Sequence, residues 1–504
     1  MTERQTPERK IPSSWSVAPF DLVFNNVTSS SRKLPLSEYE LRGRFPVVDQ
    51  GEVPVGGYSD DESLVHPGPL PSIVFGDHTR CLKFVDRPFI QGADGVKVLA
   101  PAGDLDPKYI YWALVSREVP SRGYARHFSM LRKLSVPIAP RPEQHRIVAA
   151  IESHVTRLDA AVAILERVKA NLKRYRASVL KAAVEGRLVP TEAERARKQG
   201  RDYEPASVLL ERILTERCCR WEEVELAKLK ASRRTPTSDD WKAKYEEPLA
   251  PDTSKLPKLP EGWCWTTVDE IAEVQGGLTK GKRRKSSDQL REIPYLRVAN
   301  VQRGFLDLVE VKTILATQDE VDLLKLRKGD VLLNEGGDRD KLGRGWIWNE
   351  ELPECVHQNH VFRARLHTND ILPCFLSWYA NSNGQEYFFK AGKQTTNLAS
   401  INLTMLRNLP VPIPPNAEQI RMSQELERQL SLLDENDAEV ERNLHRCQRL
   451  RQAILKWAFD GKLVDQDPTD EPASALLERI RAEREKAQTE DHRHPGRTRK
   501  GTTA

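Results

Sequence analysis

No run of apolar residues in this chain approaches the roughly 20 that a membrane-spanning helix needs, so a membrane is not an expected partner. Cysteine is scarce among the 504 residues. Cys81, Cys218, Cys219, Cys264, Cys355, Cys374 and Cys447 are odd in number and scattered, without the paired spacing of a zinc site. That pattern leads us to expect neither a disulfide framework nor a structural metal. The opening MTERQTPERK is polar and charged and does not read as a signal peptide, so a cytoplasmic location is expected. Enzyme signatures are missing as well. The sequence holds no complete phosphate-binding loop, no Asn-Pro-Pro-Tyr-type motif for a target amine and no glycine-rich loop for a methyl donor. An enzyme of that class has to show such motifs. The chain is therefore expected to be non-catalytic alone, to carry no cofactor, and to leave any chemistry to partners.

Charge of one sign is also in short supply. The formal net charge of +5 permits binding to a polyanion without demanding it. With 30% charged residues and a mean hydropathy of −0.58, the chain has surface to spare. Its length suggests roughly three or four domains.

What the sequence does hold is one stretch that occurs twice. Val136–Val189 and Val411–Val464 align in a single gap-free register. Glu143-Gln144 falls on Glu418-Gln419, Leu158-Asp159 on Leu433-Asp434, Leu180-Lys181 on Leu455-Lys456, and Gly186 on Gly461. A shorter match follows at another offset, EPASVLLERI (Glu204–Ile213) against EPASALLERI (Glu471–Ile480). Repeats this long and this far apart mark an internal duplication, not a solenoid.

Each copy has the pattern of one long helix. Ile147, Ile151, Val155, Leu158, Val162, Leu165, Val168, Leu172, Tyr175 and Val179 recur every three or four residues, and Leu426, Leu430, Leu433, Val440, Leu444, Cys447, Leu450 and Ile454 repeat the stripe. Their mean step favours a coiled-coil seam. Pro142 and Asn416 suit helix starts, and Gly186 and Gly461 suit stops. From Glu143 to Val184 such a helix would run roughly 60 Å. A single apolar stripe must be buried, and the second copy is the obvious partner for the first.

Each helix follows a globular stretch of short β-rich runs broken by Gly and Pro, such as Phe45–Gly51, Pro71–Arg80, Cys81–Asp86 and Gly95–Ala100. A helix is expected at 107–115. After the first long helix comes an amphipathic segment around Ala206–Leu229. Residues 230–258, poor in aliphatics, read as a linker. At Leu259 the pattern restarts: LPEGWCW echoes IPSSW, strands are expected at Ile293–Val301, Gly329–Gly337 and His360–Leu366, and a helix at Phe375–Phe389. Ser129-Met-Leu-Arg and Thr404-Met-Leu-Arg end the two globular stretches in the register of the long repeat, yet outside these flanks the two differ strongly.

This layout resembles the specificity subunits of Type I restriction–modification systems. The resemblance is carried from about Ile11 to about Glu485 by several features together. These are the two PxxEQ-type helix starts, the two LK-x4-G-[RK]-LV helix ends, the paired EPAS tails, and the phrases VFGDHTR…KFVD and KGDVLLNEGG…LGR. It implies an α+β fold of two mixed α/β target-recognition domains separated by a pair of long antiparallel coiled-coil helices. The expected boundaries are a first recognition domain at 1–136, a helical spacer at 137–229, the linker at 230–258, a second recognition domain at 259–410, a second helical spacer at 411–488 and a disordered tail at 489–504. It further implies that each domain reads one half of a bipartite target in double-stranded DNA. The implied partners are two methyltransferase subunits docked on the helices and the ATP-dependent restriction subunits. The alternative is a non-catalytic coiled-coil scaffold that assembles proteins without reading DNA.

Candidate DNA contacts lie on loops. Gly276–Arg283 almost spells a phosphate-binding loop, but Arg283 stands where Ser or Thr should hold a metal, and KRRKSSDQLRE follows instead of an apolar helix. A basic loop that meets DNA phosphates through Lys280, Lys282, Arg283 and Arg284 fits better, the alternative being a solvated surface run. In Gly336–Arg344, Arg339, Lys341 and Arg344 can reach guanine edges or phosphates, or simply face water. Thr396 and Asn397 sit in a polar loop whose amides can pair with adenine, unless the loop is turn chemistry alone. In the first globular stretch His78, Thr79 and Arg80 stand at a loop tip, and Arg122 and Arg126 make a basic approach to the long helix. Asp77-His78 lacks the third group that a metal or catalytic site would need. Tyr109, Trp378, Tyr379 and Phe388 are expected to pack into cores, not to stack on bases.

Overall fold

The computed structural model describes residues 11–232, 238–281, 289–337, 341–391 and 399–493, apart from 118, 122 and 124, together with 393–394. It divides into two compact units, one built from residues up to 167 with those from 440 onward, the other from Val168–Glu439.

The first globular stretch runs β1 (Ser16–Pro19), α1 (Phe20–Val23), β2 (Phe24–Asn26), β3 (Phe45–Val48), β4 (Gly57–Ser59), β5 (Ser72–Gly76), β6 (Leu82–Val85), β7 (Ile90–Gln91), β8 (Val96–Pro101), α2 (Pro107–Val115), α3 (Phe128–Leu131) and β9 (Ser135–Ile138). Then come α4 (Arg141–Val184), α5 (Glu192–Gln199) and α6 (Ala206–Ala231). The second stretch runs β10 (Cys264–Thr267), α7 (Val268–Ile271), β11 (Ala272–Gln275), β12 (Arg291–Leu296), β13 (Lys312–Ala316), α8 (Gln318–Leu324), β14 (Val331–Asn334), β15 (Gly336–Gly337), β16 (Gly345–Ile347), β17 (Val356–His357) and β18 (Val361–Leu366). It continues with α9 (Pro373–Asn381), α10 (Asn383–Ala391), β19 (Lys393–Gln394), β20 (Ala399–Ser400), α11 (Leu403–Arg407) and β21 (Pro410–Ile413). The chain ends with α12 (Asn416–Phe459) and α13 (Ala473–Arg493).

Although their sequences diverge, the two heads share one topology. The first has an antiparallel sheet in the order β2-β8-β5-β6 and a smaller one in the order β4-β3-β7, with β3 and β7 parallel. The second repeats this as β11-β18-β14-β16 and β13-β12-β17, with β12 and β17 parallel. In each head the entering and leaving strands pair antiparallel, β1 with β9 and β10 with β21, which closes the head at its base. The cores are aliphatic and aromatic: Ile73, Phe75, Leu99, Tyr109 and Ile110 in the first, Val331, Leu333, Phe375, Leu376 and Phe388 in the second.

Helices α4 and α12 are 44 residues each, about 66 Å at ~1.5 Å per residue. They run antiparallel. Asp159 early in α4 pairs with Arg451 late in α12, while Arg176 late in α4 pairs with Asp434 early in α12. The seam is buried at Ile147, Ile151, Val155 and Val179 of α4 and at Met422, Leu426, Leu433 and Val440 of α12. Ile164, Val168 and Tyr175 are more than a third exposed. Both helices stop at a left-handed glycine, Gly186 (φ 69°) and Gly461 (φ 67°), and the next N–H closes on the carbonyl five residues back.

Helix α6 packs on β10, with Ala206 N–H donating to Gly262 O, and α13 packs on β1 through Ala473 N–H to Ser14 O. Beyond α6, Trp241 stacks on Trp221 (centroids 5.9 Å apart) and Tyr245 meets the same ring, so this part of the stretch expected as a linker lies against α6. Helix α13 continues to Arg493; residues 494–504 lie outside the described residues.

The single helix expected at Phe375–Phe389 is broken at Ser382. The Asn381 side chain turns aside to bridge Gly345, donating to its carbonyl (2.7 Å) and accepting from its N–H (3.0 Å). The Ser382 hydroxyl takes the Trp378 carbonyl that the next helical N–H would have used.

Candidate nucleic-acid interface

The duplicated Glu-Gln pair explains how each head is seated on its helix. Trp15 Nε1–H donates to Glu143 (3.0 Å) and Trp263 Nε1–H to Glu418 (2.9 Å), both carboxylates being almost fully buried. The other oxygen of Glu143 accepts from Gln466 (2.6 Å), and that of Glu418 from the Glu192 N–H (2.7 Å). Burial pushes both carboxyls above their ordinary range despite these donors. Gln144 and Gln419 each accept from a backbone N–H just ahead of α2 or α9, at Asp106 (2.9 Å) and Leu372 (3.0 Å). Each also donates to the carbonyl five residues earlier, at Ala139 or Pro414.

Above this base, three loops meet in each head at corresponding places: the β3–β4 or β12–β13 loop, the β5–β6 or β14–β16 hairpin, and the segment entering α3 or α11. In the first head the hairpin tip is Asp77–Arg80. The Asp77 N–H donates to Gly95 O (2.7 Å), while Asp77 O accepts from the His127 N–H (2.9 Å). The Asp77 carboxylate accepts from the Phe128 N–H at 2.7 Å, which anchors α3. Thr79 donates its hydroxyl to Gln50 O, and the His78 N–H reaches Gln50 Oε1 at 3.4 Å. Arg80 adopts φ 66° and directs one guanidinium nitrogen to Val119 O (2.8 Å). The position of Gly95 favours glycine: φ is +62°, and an added Cβ would lie 2.4 Å from Gln50 Oε1 and force that side chain to shift.

The second head repeats the pattern. The Glu335 N–H donates to His360 O (3.0 Å), and Glu335 O accepts from the Ile401 N–H (2.9 Å). A further small sheet, β15-β20-β19, ties the glycine turn to the 393–400 segment. Asn334 donates to Val301 O (2.9 Å) and Arg344 to Val298 O (3.3 Å), which draws in the third loop.

In the second head Gly336–Gly337 and Lys393–Gln394 are thus brought together on β20, as are His78–Arg80 and the segment bearing Arg126 in the first. Arg126 and Lys280 are exposed; Lys341 and Arg344 are half-buried. Arg122, Lys282, Arg283, Arg284, Arg339, Thr396 and Asn397 lie outside the described residues. Sequence reasoning missed Gln50, the hub of the first head's loops; only its place beside Gly51 hinted at a turn. It also missed the buried framework of the second head. Burial there pushes His357 down to about 4, and Arg363 crosses the sheet toward Gln275 and Leu323 O. Among the described residues no three His, Cys, Asp or Glu side chains are grouped to hold a metal. This arrangement presents polar loops backed by hydrogen bonds to the framework.

Residues 260–442 match the model of the Type I restriction modification DNA specificity domain. The chain is 26% identical over 464 residues to the Type I restriction enzyme EcoBI specificity subunit of Escherichia coli, covering 88% of this chain and 84% of that one. The chain is similar to Type I restriction enzyme specificity subunits. It is 23% identical to the EcoKI specificity subunit of Escherichia coli strain K12, over 70% of this chain and 64% of that one. The fold is shared with a chain solved in work on complex assembly and conformational transition of the type I R-M system, at a TM-score of 0.55 and 15% identity, covering 90% of this chain and 99% of that one. These relatives are named as specificity subunits of Type I restriction enzymes. Among the described residues no helix is long and apolar enough to cross a membrane.

Proposed function

We propose that this chain is the DNA-reading subunit of a cytoplasmic Type I restriction–modification complex. Each head reads one half of a bipartite site in double-stranded DNA, and the paired helices set the half-site spacing. One observation carries this reading: two heads of the same strand order present divergent loops at the same three positions. A fixed framework with variable loops is what independent recognition of two unlike half-sites requires. Base edges in the major groove are read by side chains such as those of Lys341 and Arg344, and phosphates by Arg126, Lys280 and the basic residues beyond it.

The exposed apolar residues along α4 and α12 suit the docking of two methyltransferase subunits, because the duplicated helices offer the same surface twice. Restriction subunits complete the complex when cleavage follows. Two experiments test the proposal. Exchanging residues 259–409 for another head should alter one half of the methylated motif and leave the other intact; a change in both halves rejects the division of labour. Duplex affinity measured across a salt series should fall steeply between low and moderate salt. A flat response would favour a scaffold that assembles proteins without reading DNA.

A further inference from the structure

At the end of the second head remote from the reading loops lies a cavity of about 360 Å³ lined by Arg220, Arg327, Lys328, Asp330, Arg365 and His367, with Thr368 and Asn369 at its edge. It opens where β14 begins and β18 ends. The reading hairpin springs from the other end of β14, roughly 13 Å away along the strand at ~3.3 Å per residue.

Four bases face a single acid here, and that acid is committed. Both Asp330 oxygens accept from Arg365, at 2.7 Å each, and one also accepts from the Arg327 N–H at 2.7 Å. Arg365 is spent by the same contacts and by donating to Lys325 O (3.0 Å). Arg220 shares its charge with Glu216 (2.8 Å) one turn away on α6. Arg327 and Lys328 differ: among the described residues neither side-chain head group is engaged by a protein acceptor. His367 N–H donates to Ile271 O, yet its ring Nε2 is buried without any partner. A buried ring nitrogen normally has one. The sharp turn that exposes Arg327 and Lys328 depends on Gly329 at φ 90°.

We infer that this cavity is a receptor for a phosphate-class oxyanion, held by Arg327 and Lys328 at the rim and by the His367 ring nitrogen at the floor. Guanidinium and ammonium groups without carboxylate partners are the usual phosphate ligands, and a cavity of this size suits a small ligand. Such an anion has two sources, a free phosphate or pyrophosphate group and a backbone phosphate of bound DNA. The inference does not depend on the reading loops or on what they recognise.

Two titrations on the full-length chain test it. Inorganic phosphate and pyrophosphate, added at constant ionic strength, should bind saturably. The Arg327→Ala/Lys328→Ala double variant should weaken that binding at least about tenfold, whereas Lys390→Ala, an exposed lysine of α10 outside the cavity lining, should not. His367→Phe, which fills the floor with an apolar ring, should weaken it independently. If the source is DNA, free anions compete poorly, and the double variant lowers the salt slope of duplex binding by about one to two ions. The inference is overturned if neither anion saturates and the slope is unchanged. Saturation that survives in the double variant and in His367→Phe overturns it too, since the anion would then sit elsewhere.

Discussion

Arg176 on α4 forms an ion pair with Asp434 on α12. The register that lays Glu143 on Glu418 turns this pair into Arg451 and Asp159, which are also in contact. Duplicated helices laid antiparallel can repeat a contact in this reciprocal way where both copies keep the partners. The four side chains are 38–67% exposed, so each bridge should contribute below about 1 kcal/mol. A double-mutant cycle on Arg176 and Asp434, read by urea unfolding, should show that coupling at low salt and its loss near 1 M. Coupling that persists at high salt would show that the pair is desolvated and not screened.

Glu143 and Glu418 give the chain a pH dependence. Burial raises both carboxyls, so the folded chain holds these protons more tightly than the unfolded one. The stabilisation is full below the ordinary carboxylate range and is lost as pH rises through the raised values. Glu418→Gln should flatten this fall. At acid pH it should cost about 1 kcal/mol, because its amide nitrogen would face the Glu192 N–H. Unfolding free energies measured stepwise in pH check both; a slope unchanged in Glu418→Gln assigns it to another group.

Gly186 and Gly461 cannot be replaced quietly. A Cβ at Gly186 would lie 2.6 Å from Pro260 Cγ, and one at Gly461 would lie 2.3 Å from Pro12 Cγ. The left-handed backbone alone costs an L-residue about 1–2 kcal/mol. Gly186→Ala and Gly461→Ala should each lower unfolding free energy by at least that much, and to similar extents. Tolerance within about 0.5 kcal/mol would mean that the turns can rearrange.

Asp77 links framework to recognition. Asp77→Ala removes the acceptor of the Phe128 N–H, at a cost of about 1–2 kcal/mol. Since only the first head's loops loosen, methylation by the reconstituted complex should lose discrimination at one half-site and keep it at the other. Equal loss at both would break the link between Asp77 and a single half-site.

Much of this was legible along the chain. Helix α2 occupies 107–115 as expected, and α4 and α12 begin and end within a few residues of the positions marked by Pro142, Asn416, Gly186 and Gly461. Such features answer to neighbours three to five residues away, through apolar period, capping and the φ of glycine. The break at Ser382 could not be foreseen, because Asn381 leaves the helix for Gly345, a partner far off in sequence.

The sequence by itself determined that the protein is duplicated, that its heads diverge, and that long amphipathic helices join them. Repetition and periodicity are local properties that survive in one dimension. Tertiary structure alone decided that the divergent heads share a strand order, and that α6 packs on the second head and α13 on the first. It also decided that the recurring Glu-Gln pair is a buried clamp on tryptophan and backbone. Sheet order and burial arise from contacts between distant segments, where many different side chains can satisfy the same ladder of backbone hydrogen bonds.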